Sequence, residues 1–153
     1  MLSYLSAHES TCGTPIYAAC LQRHVEITQA LLAAGAKLGI QDNMGFTPLC
    51  AACKGGRIEV ARALLSAGAP VNPVSREGRS PLYSACADGH VEVAVALLSA
   101  GAQVKPQVWD GRSPLFAACQ RGRVELAHAL LAAGAAVDLQ DKSGLSPLIA
   151  ASA

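Results

Sequence analysis

From Val91 onward the chain sets Val91, Val93, Ala94, Leu97 and Leu98 on one stripe and keeps Glu92 and Ser99 off it. That spacing follows the period of about 3.6 residues of a helix with one apolar face, and it predicts a helix from Val91 to about Ala100. Glu92 falls in the first turn, where the helix dipole favours a carboxylate. Gly101 follows as a left-handed C-cap. Just upstream, Ser80-Pro81 opens a shorter helix, to about Ala87. The serine hydroxyl accepts an orphan backbone N–H, and proline at the first helical position needs no donor. Asp88-Gly89 turns the chain between the two helices, and the connection onward is centred on Gly111. A glycine there reads as a tight turn or short β-hairpin-like tip that needs positive φ.

The same pattern recurs every 33 residues. Pro15, Pro48, Pro81, Pro114 and Pro147 hold one register, each behind a hydroxyl residue: Thr14, Thr47, Ser80, Ser113 and Ser146. The pairs Leu31-Leu32, Leu64-Leu65, Leu97-Leu98 and Leu130-Leu131 keep it too, as do Gly35, Gly68, Gly101 and Gly134, each followed by Ala. The turn glycines Gly45, Gly78, Gly111 and Gly144 complete the set. Helices this short are marginal in isolation, since about 12–15 residues are needed for stability in water. One helix pair cannot cover its own apolar stripe, whereas a stack of pairs covers every stripe but the last. The pattern therefore predicts an all-α solenoid occupying residues 1–153 as one domain, with units at about 9–41, 42–74, 75–107 and 108–140 and a partial unit at 141–153.

The stretch GFTPLCAACKGGRIEVARALLSAGAPVN, from Gly45 to Asn72, resembles an ankyrin repeat. The motifs G-x-T-P-L, A-A, G-x-x-E-V, L-L and G-A-x-V-N occur in that order, and the likeness extends over essentially the whole chain. The resemblance implies a stack of turn-helix-helix units that binds protein partners on its concave face. One column departs from the family: where histidine usually follows T-P-L, this chain has Tyr17, Cys50, Tyr83, Phe116 and Ile149. Apolar packing is expected to replace the histidine's hydrogen bonds there. The resemblance also makes Asn72 a candidate for asparaginyl hydroxylation, against the plainer reading that its side chain closes a turn. The first unit is irregular, with Cys12-Gly13 at its turn and Arg23 between its helices. The last stops inside its first helix with Leu148 and Ile149 uncovered, so fraying is expected from Gly144 onward.

Composition narrows the function classes. Apolar residues make up 52% of the chain but aromatic ones only 4%, a balance suited to closely approaching helices. Twelve Lys and Arg against eleven Asp and Glu give a net charge of +1, which offers no general attraction to nucleic acid or anionic membrane. No apolar run approaches the ~20 residues of a membrane span, and the N-terminus lacks a signal-peptide pattern. The expected compartment is cytoplasmic or nuclear, with thiols reduced.

Six cysteines raise the question of a metal, and Cys50-x-x-Cys53 looks like half a zinc site. Cys20, Cys53, Cys86 and Cys119, however, repeat at the unit spacing. Helices packed about 8–10 Å apart cannot bring such a column onto one ion. Glu26, Glu59, Glu92 and Glu125 form another column, explained by helix starts. His24 and His90 share a column with Arg57 and Arg123, and His128 stands alone. No phosphate-binding loop is present. No enzyme, metal, cofactor or small-molecule substrate is expected.

Function should sit where the units disagree, because shared packing ties the other positions. They disagree around the turn glycine and at the end of the first helix. The candidates for partner contact are Met44, Phe46 and Lys54 in the second unit, Arg76 and Arg79 in the third, and Trp109, Asp110, Arg112 and Arg121 in the fourth. Ser10, Thr11, Gly13, Leu21, Gln22, Asn43, Gly55, Glu77, Ala87, Asp88, Gln120, Lys142, Ser143 and Leu145 vary at the same places. Trp, Phe, Met and Arg are enriched at interface centres. The expectation is a non-catalytic module that holds a protein or extended peptide with acidic and apolar side chains. The alternative is a targeting or regulatory segment of a larger protein, such as a ubiquitin-ligase adaptor, kinase or receptor.

Overall fold

A computed structural model describes residues 13–105 and 108–152. Nine helices are formed among them: α1 (Pro15–Leu21), α2 (Val25–Ala33), α3 (Pro48–Lys54), α4 (Ile58–Ser66), α5 (Pro81–Asp88), α6 (Val91–Ser99), α7 (Pro114–Gln120), α8 (Val124–Ala132) and α9 (Pro147–Ala151). Each odd-numbered helix begins as the hydroxyl–proline pairs predict. Thr14, Thr47, Ser80, Ser113 and Ser146 are extended and accept the N–H three residues on, at 3.1–3.4 Å. The second helices end alike: the N–H of Ala36, Ala69, Ala102 and Ala135 bonds the carbonyl of Leu31, Leu64, Leu97 and Leu130. The intervening glycine has φ between 80° and 89°. That geometry satisfies carbonyls left open at a helix end.

The helix pairs stack in one direction. Successive first helices, α1, α3, α5, α7 and α9, pack along one another, and each of the first four packs on the second helix of its own unit. The second helices touch one another more sparsely, which makes the first helices the inner layer. Small side chains allow this closeness: Ala52, Cys53, Ala85, Cys86 and Ala118 are fully buried between inner helices. Leu64, Leu97 and Leu130 of the outer helices close the core from behind, also fully buried. A single apolar cluster runs from Ile16 to Ala135. In α9, Leu148 and Ile149 are 75% and 49% exposed.

The connections form no strand among the described residues. They are tips closed by backbone bonds, from Asp42 N to the Phe46 carbonyl, Ser75 N to Arg79 and Asp141 N to Leu145. One bond ties each tip to the next: Arg76 N to the Met44 carbonyl at 2.8 Å, Trp109 N to Glu77 at 3.2 Å and Lys142 N to Asp110 at 2.7 Å. Asn72 also acts between units. Its Oδ1 accepts from Gln103 N at 2.9 Å and its Nδ2 donates to the Gly101 carbonyl at 3.3 Å. It does not close its own turn, as the plainer sequence reading had it, because the polar groups nearest its amide belong to the following unit.

At the opposite edge, the residues that open α6 and α8, His90 and Arg123, reach back to the preceding unit. His90 Nε2 lies 3.0 Å from the Lys54 carbonyl, and its ring covers Gly56 so closely that a Cβ there would sit 2.5 Å from Nδ1. Arg123 covers Gly89 in the same way. Arg23 takes this place in the first unit with φ 66°, the left-handed non-glycine residue of the described region.

The cysteines among the described residues, Cys20, Cys50, Cys53, Cys86 and Cys119, are free. Burial pushes the Cys86 thiol up to about 12 and Cys20 to about 11, the latter opposed by a hydrogen bond from Thr28. Because the folded value exceeds that of the unfolded chain, these thiols stabilise the fold fully below about pH 9, the range where an exposed thiol begins to ionise. The contribution is lost as pH rises through 11–12. The urea midpoint is therefore expected to fall between pH 8 and pH 10.5, and a cysteine-to-alanine variant at Cys86 should show a shallower fall.

Candidate functional site

Along the inner helices, between the tips and the turns that join each helix pair, lies a hollow of about 200 Å³. The tips contribute Phe46, Arg79 and Arg112 to its wall. The ends of the inner helices contribute Lys54, Asp88, Gln120 and Arg121. Tyr83, Ser84, Ala87 and Ala117 form the floor between them. Five sequence candidates thus converge: Phe46, Lys54, Arg79, Arg112 and Arg121. The other four, Met44, Arg76, Trp109 and Asp110, do not line the hollow. Arg76 and Trp109 occupy the second position of their tips, and Met44 and Asp110 the third. Trp109 is 67% exposed. A larger open trough of about 680 Å³ lies on the other side, between α4 and α6. It is walled by Arg62, Leu65, Val91, Glu92 and Val95 among others and holds none of the candidates.

The column that departs from the family pattern reaches the hollow through Tyr83, and it does not act by apolar packing alone. Cys50 and Phe116 are buried as expected, but Tyr17 and Tyr83 keep polar roles. The Tyr17 hydroxyl donates to Asp42 Oδ2 at 2.9 Å, while Asp42 Oδ1 accepts from the N–H of Met44 and Phe46 at 2.8 Å. One carboxylate thereby fixes its own tip and links it to the preceding unit. Burial first, and then Asp42, hold the Tyr17 hydroxyl well above its ordinary range. Tyr83 is likewise raised by burial first and by Asp110, against the opposing charges of Arg112 and Arg79.

In the fourth unit the tip position equivalent to Asp42 is Val108, so the Asp42 arrangement cannot form. Arg112 organises this end instead. Its Nε is 3.2 Å from Asp110 Oδ2 and 3.6 Å from Asp141 Oδ2, both charge pairings out of hydrogen-bond alignment. Its guanidinium carbon stands 5.2 Å from the centroid of the Phe116 ring, within cation–π range. Asp141 is almost fully buried, and its Oδ1 accepts from the N–H of Ser143 and Leu145. Arg112 is therefore held from three sides. Among the described residues Arg79 has one ion pair, with Glu77 of its own tip, at 3.0 Å and half-exposed, an arrangement worth about 0–1 kcal/mol. Lys54 and Arg121 are exposed and have no ion pair among the described residues. The groove is consequently less basic than its count of arginines implied, because the two tip arginines bring their own carboxylates.

Profile models of known families decide the relationship. One, described as ankyrin repeats in three copies, matches residues 15–108, and a second, for a single ankyrin repeat, matches 110–142. The chain belongs to the ankyrin repeat family. Comparison with curated proteins returns no significant match. Ankyrin repeats are in general protein–protein interaction modules, and no catalytic domain is identified by these matches. Among the described residues of this ankyrin array no group of His, Cys, Asp and Glu is placed to hold a metal. No helix there is long and apolar enough to cross a membrane. Ser10 and Thr11, the candidates of the first tip, lie outside the described residues.

Tyr83 and Ser84 escaped the candidate set although they form the hollow floor. Tyr83 had left a signal, since its column was the one in which the chain departs from the family. Ser84 had left a weaker one, replacing the alanine found at Ala51 and Ala117.

Proposed function

We propose that this ankyrin array is a non-catalytic binding module whose groove receives an extended segment of a partner protein carrying acidic and apolar side chains. The observation that carries the reading is the convergence of Phe46, Lys54, Arg79, Arg112 and Arg121 on one hollow. Fixed helices and tips present these groups, so little conformational freedom is lost on binding. Phe46 and the Ala87–Ala117 floor offer apolar contact beside the cations. The exposed pair Arg76 and Trp109 offers a second contact on the tip crest, outside the hollow.

Selection of a displayed library of random extended peptides on the immobilised array tests this. Enriched peptides are expected to carry Asp or Glu next to an apolar residue. The double variant Lys54→Ser/Arg121→Ser should weaken them about tenfold, equivalent to about 1.4 kcal/mol. The variants Arg79→Ala and Trp109→Ala, made singly and together, separate groove from crest. Enrichment without acidic residues, or affinity unchanged in both double variants, would refute the assignment.

A further inference from the structure

Asp88 is out of place by the rules that govern the rest of the array. It is the last residue of α5, where the negative end of the helix dipole disfavours a carboxylate. It has no ion pair among the described residues. Its column holds Gln22, Gly55 and Arg121 in the other units, so the turn made at Asp88-Gly89 does not itself require an acid. Yet Asp88 is the one acidic residue that lines the hollow, facing a wall that contains Lys54, Arg79, Arg112 and Arg121.

The charges around the hollow show what this does. Glu77 and Asp110 offset Arg79 and Arg112 one for one. Lys54 and Arg121 remain, and Asp88 offsets one of them. A ligand therefore meets a single uncompensated positive charge, and the buried Asp141 behind Arg112 adds a further bias against a second negative charge. A carboxylate side chain matches that balance. A phosphomonoester, with a charge of about −1.5 to −2 at neutral pH, exceeds it, although its three oxygens could otherwise engage several cations.

We propose that Asp88 is a specificity-determining residue, tuning the hollow to one carboxylate side chain of the partner and against a phosphorylated one. This rests on the groove reading given above. Replacing Asp88 by Asn leaves two uncompensated cations and moves the preference toward phosphate. The amide is compatible with the fold at this place, since Gln22 occupies the same column at the end of α1.

The test uses three peptide libraries with random flanks and a fixed central Glu, phosphoserine or Gln, and compares retention on the wild-type array, Asp88→Asn and Glu92→Gln. Glu92 lies on the outer trough, so its variant makes the same change in net charge away from the hollow. The wild type is expected to retain the Glu library at least threefold over the phosphoserine library. Asp88→Asn should raise the phosphoserine-to-Glu ratio at least fivefold, and Glu92→Gln should leave it within twofold. A wild-type preference for phosphoserine, an unmoved ratio in Asp88→Asn, or an equal shift in Glu92→Gln would overturn the role of Asp88 while leaving groove binding intact. Failure of the wild type to retain any library above the Gln control would overturn the groove reading itself. A thermal midpoint for Asp88→Asn no lower than wild type shows that the changed ratio belongs to the folded array.

Discussion

Leu97→Ala is expected to lower the stability of the array by about 2–5 kcal/mol, the range for a buried leucine truncated in a core that only partly collapses. Leu97 is fully buried, in the third of the four complete units. Its side chain belongs to the one apolar cluster that joins all of them. Its carbonyl also accepts from Ala100 and Ala102 at the end of α6, so a shift of this helix disturbs its cap as well. In a stack, stability is approximately a sum of unit terms and nearest-neighbour interfaces. The loss at Leu97 is therefore felt on both sides, through α4 and through α8. A urea titration should show a lower midpoint, with the slope either unchanged or split into two transitions. Leu131→Ala makes the comparison, because Leu131 is 40% exposed and should cost far less. Equal effects of the two substitutions would mean that the stack is not held by its buried leucine column.

The elements whose cause is local were legible in the sequence. Each hydroxyl–proline pair became a capped helix start because one hydroxyl and one N–H, three residues apart, settle that geometry without help from the rest of the fold. The glycines after the outer helices were legible for the same reason. The site was only half legible. Variation among units singled out nine residues, but five of them face the hollow and four stand on the crest, a division set by the angle between tip and helix. The pairing of Arg79 with Glu77 and of Arg112 with Asp110 was open to a reading of tip neighbours, but its geometry was not. Sequence neighbours at i and i+2 lie on the same side of a tip only once the turn is formed. Asp141 was further out of reach, since it meets Arg112 across 29 residues and only because Phe116 cannot supply the hydroxyl that Tyr17 gives to Asp42.

Gly45→Ala is expected to cost about 2–4 kcal/mol, more than the same change at the tip glycines Gly111 and Gly144. Gly45 has φ 85°, a conformation that costs a residue with a Cβ roughly 1–2 kcal/mol. The added carbon would also stand 2.9 Å from Arg76 N and 3.0 Å from Ser75 Cα. Both are backbone atoms, so relief requires the next tip to move, and that movement breaks the bond from Arg76 N to the Met44 carbonyl, worth about 1 kcal/mol. At Gly111, with φ 81°, a Cβ would lie 3.3 Å from Lys142 N. The conformational strain remains there and the steric part shrinks. Gly111→Ala should cost about 1–2 kcal/mol by the same conformational strain, and Gly111→Val more, because a β-branched side chain is least tolerant of positive φ. Gly68, at φ 85° with nothing within 4 Å of its Cβ position, isolates the strain alone. The order Gly45, Gly111, Gly68 in urea midpoints, lowest first, follows from tip-to-tip contact. If Gly68→Ala proved as damaging as Gly45→Ala, backbone strain would account for the whole loss, and the crest would not be held together by the bonds from one tip to the next.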